Sequence, residues 1–179
     1  VIMRRSFALV LALLVGACGG GTALLGTPDP ATTTTTQGRF ALAFTIDRAT
    51  VHPGDAIGGS ATLTLLTPGN ATVTGSTDIV AFEFAEVGGA GRDVVPASPS
   101  DCALHFVTSS GGVVTAIAKS GAVVDGPNAD WYRQFLDDPL VHLPAGDWDI
   151  SAIATFFDGR NCVGQPYDLR TTVRVHVAG

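Results

Sequence analysis

The chain has 179 residues, 46% of them hydrophobic and only 15% charged, which is enough apolar material for one filled core and too little charge for a disordered protein. Its formal net charge of −6 argues against nucleic acid as a partner, because phosphate binding relies on clustered Lys and Arg, and Lys119 is the single lysine. The same acidity argues against electrostatic adhesion to anionic lipid headgroups.

Arg4 and Arg5 precede an unbroken apolar run from Phe7 to Val15. As a helix that run covers roughly 14 Å, about half of a ~30 Å hydrocarbon core, so it reads as the h-region of a signal peptide rather than a membrane span. Val15-Gly16-Ala17-Cys18 follows, and it resembles the lipobox of bacterial lipoproteins. The resemblance implies cleavage before Cys18, acylation of its sulfur, and anchoring to a membrane through those acyl chains. Residues 1–17 are then the signal peptide. Gly19 after the cysteine implies the outer membrane in a host with two membranes, and the outer face of the plasma membrane otherwise. Acylation of Cys18 leaves Cys102 and Cys162, which in an oxidising compartment are expected to form a disulfide. Two unconnected thiols are the alternative.

Gly19 to Gly38 is dominated by Gly, Thr and Pro and reads, with Cys18, as a flexible tether over 18–38. From Arg39 the apolar residues alternate, the signature of half-buried strands. Phe40, Leu42, Phe44 and Ile46 share one face; Ile57, Ala61, Leu63 and Leu65 share another. Val80, Phe82 and Phe84 alternate next. Cys102, Leu104 and Phe106 follow as an expected inward face, with His105 outward, and Val113 to Lys119 as a short strand. Asn128 to Leu136 predicts the one short helix, capped by Asn128 or Asp130, with Trp131 and Phe135 a turn apart. Trp148, Ile150, Ala152, Ala154 and Phe156 form a long strand, and Val173, Val175 and Val177 the last one. The expectation is an all-β, antiparallel, immunoglobulin-like β-sandwich of seven or eight strands over 39–179.

Val51-His52-Pro53-Gly54-Asp55-Ala56-Ile57 resembles the turn that opens a strand in bacterial immunoglobulin-like domains. Leu143-Pro144-Ala145-Gly146-Asp147-Trp148 is similar to the start of a late strand there, with Trp148 where a corner tyrosine is usual. The order of elements is also similar to the BsuPI-like proteinase inhibitors. These resemblances imply a fold; the second implies that an exposed loop occupies a protease cleft.

No GxSxG, HExxH, P-loop or helix-opening GxGxxG occurs in the sequence. His52, His105, His142 and His176 are scattered without ligand spacing. Asp125, Asn128 and Asp130 are the best oxygen donors for calcium, but their spacing departs from the EF-hand loop, and such residues commonly make turns and caps. No metal and no cofactor are therefore expected. Trp131, Tyr132 and Phe135 are the candidate contact patch, but the favoured reading has Trp131 and Phe135 plug one end of the sandwich. The function expected is a monomeric, non-catalytic, membrane-anchored module that binds an envelope protein or glycan. A BsuPI-like inhibitor is the first alternative and a small envelope enzyme the second.

Overall fold

A computed structural model describes residues 30–97, 101–121 and 126–179. Cys18 and the signal segment lie outside the described residues, as does Asp125. The strands run β1 (Ala31–Gln37), β2 (Phe40–Ile46), β3 (Thr50–Val51), β4 (Gly59–Leu65), β5 (Asn70–Gly75), β6 (Ala81–Val87), β7 (Asp93–Val94), β8 (Ala103–Thr108) and β9 (Val113–Ala116). Helix α1 (Ala129–Asp137) comes next, then the two longest strands, β10 (Gly146–Asp158) and β11 (Gln165–Val177).

The strands form an all-β sandwich. One sheet has the order β1-β2-β4-β9. In the other, β10 pairs with β11 along its whole length, and its opposite edge is shared: Asp147–Ile153 pairs with β6, and Phe156–Asp158 with β5. The second sheet therefore forks, one branch continuing to β8 and the other to β7. All pairs are antiparallel except the two-residue contact of β3 with the end of β11.

The alternation that defines β2, β4, β10 and β11 fills the core. Phe40, Leu42, Phe44 and Ile46 meet Trp148, Ile150, Ala152, Ala154 and Phe156 across the sandwich, all buried. Edge-to-face contacts between Phe40 and Phe156, and Phe40 and Tyr167, close one end. The other end is covered by α1, whose Phe135 is buried against Phe84 with ring centroids 5.3 Å apart.

Three expectations need correction. The domain does not begin at Arg39: Ala31–Gln37, expected within the tether, is β1 and pairs with all of β2. The hairpin works because Gln37 pairs with Phe40 across a two-residue turn in which Gly38 holds φ +56°, a conformation glycine adopts without strain. The strands among the described residues number eleven rather than seven or eight, since β1, β5 and the two-residue β3 and β7 carry weak apolar patterns. Finally, β8 faces the other way. His105 and Val107 lie opposite Val73 and Ala71 of β5, on the interior side, while Leu104 and Phe106 are 48% and 62% exposed. Pairing with β5 fixes this parity, and a one-residue shift would reverse every side chain.

Candidate contact surface

The two ends of the sandwich differ in kind. The chain enters at Ala31, beside Ile46, at the end covered by α1. Gln37, Arg39, Asp158 and Tyr167 mark the opposite end, about 20 Å away along β1.

At the α1 end Phe135 is buried, and Trp131 and Tyr132 are half-buried against the core. Trp131 stacks on Phe135 at 5.1 Å and lies 5.7 Å from Trp148. The Tyr132 hydroxyl donates to the Asp93 carbonyl at 2.7 Å and accepts from the Asp93 N–H at 3.0 Å, tying α1 to β7. Arg92 places its guanidinium 5.5 Å from both indole rings and pairs with Glu86, donating from Nε to Oε2 at 3.1 Å. This hydrogen bond holds the Glu86 carboxyl below its ordinary range. The Trp148 Nε1–H donates to the Pro144 carbonyl at 2.9 Å, four residues earlier in the chain.

Lys119, which the sequence does not single out for any role, binds the far end of α1. Its ammonium donates to the carbonyls of Phe135, Asp138 and Leu140, the last at 2.7 Å, and sits 4.7 Å from the centre of the Phe135 ring. These carbonyls lie at and just beyond the helix C-terminus, where backbone acceptors lack intrahelical partners and positive charge is favoured. Lys119→Met is expected to lower stability by about 2 kcal/mol by leaving these acceptors without a donor, as measured by urea unfolding monitored through tryptophan fluorescence. A cleft of about 580 Å³ opens beside this lysine, but its main cation is already engaged by the three carbonyls.

The remaining candidates have structural partners. Asn128 donates from its side-chain amide to the Ala90 carbonyl and makes no side-chain cap bond, while Asp130 pairs with Arg133 at 2.6 Å. Among the described residues no group of three His, Cys, Asp or Glu is close enough to hold a metal ion. His142 bonds Asp138 at 2.6 Å and His176 bonds Asp147 at 2.7 Å. His105, expected outward, instead reaches the Ser76 carbonyl at 2.8 Å. His52 sits exposed in its turn.

Three of the exposed large apolar side chains, Leu104, Phe106 and Val163, lie at the opposite end. Cys102 and Cys162 are joined by a disulfide with Cα atoms 5.5 Å apart, fastening the tip of the β10–β11 hairpin to the start of β8. The tip folds over the outer face of β5: Thr74 Oγ1 accepts from the Cys162 N–H at 2.9 Å and donates to the Gly159 carbonyl at 3.2 Å. Leu104 lies directly opposite Thr74 in the ladder, and Phe106 opposite Thr72, so both line the same outer face beside the tip. Val163 on the tip is 71% exposed. The tip itself is a tight turn closed by the Val163 N–H on the Arg160 carbonyl, with Asn161 and Cys162 at φ +60° and +54°. Neither a protein-family model nor a curated protein matches the chain.

Proposed function

We propose that the chain is a lipid-anchored, non-catalytic binding module of a bacterial cell envelope, which meets its partner, a protein or glycan, at the end of the sandwich far from the anchor. The observation carrying this reading is the cluster of exposed Leu104, Phe106 and Val163 around a disulfide-braced tip. Large apolar side chains grouped on a surface mark contact sites more often than isolated ones do. The brace supports recognition by removing conformational freedom before binding. The disulfide fits an oxidising, exported location, and the lipobox-like Cys18 supplies the anchor.

Two measurements test the two halves of the proposal. Cys18→Ala in the native host is expected to shift the protein from the membrane fraction to the soluble fraction, or to leave it as uncleaved precursor. Wild-type protein that is soluble and whose N-terminal peptide carries no lipid mass would overturn the anchor. For the surface, crosslinking in native cells followed by mass spectrometry is expected to yield a partner whose recovery falls at least about tenfold with Phe106→Asp, as for loss of a buried aromatic anchor. Unchanged recovery would move the contact elsewhere. Stoichiometric inhibition of a protease panel by the full chain would instead favour the inhibitor reading.

A further inference from the structure

The two sheets end in five edge strands among the described residues, and four of them are short or polar. β3 and β7 are two residues long, and β9 is four. β1 has seven residues, but beyond Ala31 its side chains are threonines and a glutamine. β8 is different. It runs for six residues as Ala-Leu-His-Phe-Val-Thr, without the lysine, proline or bulge that ordinarily protects an edge from pairing with another chain.

The ladder to β5 fixes which backbone groups of β8 are left over. The Ser109 N–H donates to the Gly69 carbonyl, and these two residues continue the register that sets Thr108 opposite Asn70. Hydrogen-bonded pairs alternate along an antiparallel ladder, so Val107, His105 and Ala103 turn their N–H and C=O groups to β5. Those of Leu104, Phe106 and Thr108 point to the free edge, where no described residue meets them. Leu104 and Phe106 thus combine an exposed apolar side chain with an unpaired amide at the same position.

We infer that an extended segment of a partner polypeptide adds to β8 as a further antiparallel strand. This rests on the contact surface proposed above and narrows its partner from a protein or glycan to a polypeptide chain. A row of donors and acceptors at strand spacing is matched group for group by another peptide backbone, a repeat that a glycan does not reproduce. The surroundings of β8 set the side chains of that segment. The Cys162 N–H bonds Thr74 Oγ1, so the hairpin tip stands over β5 on one side of Leu104, and the added strand takes the other. Every second side chain of the segment then becomes a cross-strand neighbour of Leu104 or Phe106, where apolar pairs are favoured.

Charge orients the segment and distinguishes it from a second copy. Asp101 lies two residues before β8 and accepts from the Thr77 hydroxyl, and Asp78 adjoins Thr77 in sequence. Both aspartates are exposed, and neither pairs with a cation among the described residues. The C-terminal end of an added antiparallel strand comes beside Ala103, so a lysine or arginine there meets these carboxylates. A second β8 would bring Thr108-Ser109-Ser110-Gly111-Gly112 to the same place, with no cation, on a chain that is itself acidic.

The test is amide hydrogen exchange of the full chain, followed by NMR, with a synthetic peptide of alternating valine and threonine ended by two lysines as the probe. The probe is expected to slow exchange at Leu104, Phe106 and Thr108 at least about tenfold. A control peptide with the same side chains but an N-methylated backbone cannot complete the ladder and is expected to leave these amides unchanged. Leu104→Pro should abolish the response to the probe, while Leu104→Ala, which keeps the N–H, retains most of it. Proline is tolerated at this position because the N–H it removes faces the edge. Circular dichroism and an intact Cys102–Cys162 bond in both variants check that the fold is kept. Three results overturn the inference: no slowing with the probe, equal slowing with the N-methylated peptide, or slowing that grows with protein concentration alone, which marks pairing between copies. The contact surface itself is tested separately by Phe106→Asp in cells, so a partner that only rests on the face would fail here and still pass there.

Discussion

Arg92→Ala is expected to destabilise the protein by on the order of 3 kcal/mol, the range in which one partner of a buried ion pair is removed and the other is left uncompensated. Glu86 has only 5% of its side chain exposed, and Arg92 only 18%. The arginine also closes the surface over two indoles, so the variant loses packing as well as charge. The pH dependence identifies the cause. In the wild type, the hydrogen bond from Arg92 holds the Glu86 carboxyl below 4.5, so the stabilisation from this pair is complete above that pH and is lost as pH falls through the lowered folded-state value. In Arg92→Ala the buried carboxylate stands alone, its pKa rises, and acid relieves the penalty by protonating it. The stability gap between the two proteins should therefore begin to narrow above 4.5, as the variant's carboxyl takes up its proton, and keep narrowing as pH falls through the lowered wild-type value. Glu86→Gln added to Arg92→Ala should recover part of the loss at neutral pH. Urea unfolding from pH 3.5 to 7.5 checks both; a gap independent of pH would reduce the role of Arg92 to packing.

The strands that carry the core were legible because their side chains state their own burial. The alternation in Phe40–Ile46 and in Trp148–Phe156 leaves only one face apolar. β1 was not legible, since a run of threonines has no apolar alternation. Its inward half, Thr33 and Thr35, is covered only because β2 lies beside it and β11 across from it, where Thr171 Oγ1 bonds Thr33 Oγ1 at 2.7 Å. The missed signal was the strong β-propensity of threonine itself. β8 shows the reverse error. Leu104 and Phe106 are its bulkiest residues, and by volume they belong inside. The ladder with β5 and the disulfide to the outer hairpin turn them out. Tertiary pairing thus keeps an apolar face of β8 in solvent, a mismatch of the kind found at functional or strained sites.

The helix shows how much a correct local reading leaves out. Trp131 and Phe135 a turn apart do predict α1, and the cluster they make is real. What the sequence could not supply was the set of groups waiting for it: Trp148 at the mouth of the sandwich, Arg92 on the β6–β7 hairpin, and Lys119 sixteen residues upstream of Phe135. Each is distant in sequence, so no local pattern records the contact. The same limit applies to the Lys119 ammonium, whose partners are backbone carbonyls and leave no side-chain signature.

Loss of the Cys102–Cys162 bond, through Cys102→Ala with Cys162→Ala, is expected to cost about 2–5 kcal/mol, the usual range for a native disulfide in a small exported domain. The bond spans 60 residues of sequence, so on the chain-entropy view most of its effect is the freedom it removes from the unfolded chain. Its local consequence depends on what it fastens. Although the Trp131 helix lies between the two cysteines in sequence, it sits at the far end of the sandwich and is held by Arg92, Tyr132 and Lys119. The bond instead pins the hairpin tip onto β5 and the first residues of β8. Hydrogen exchange after reduction should therefore accelerate first at Gly159–Gly164 and Ala103–Leu104, while α1 keeps its protection until global unfolding. Early loss of protection in α1, or exchange unchanged at the tip, would show that the bond braces a different part of the domain.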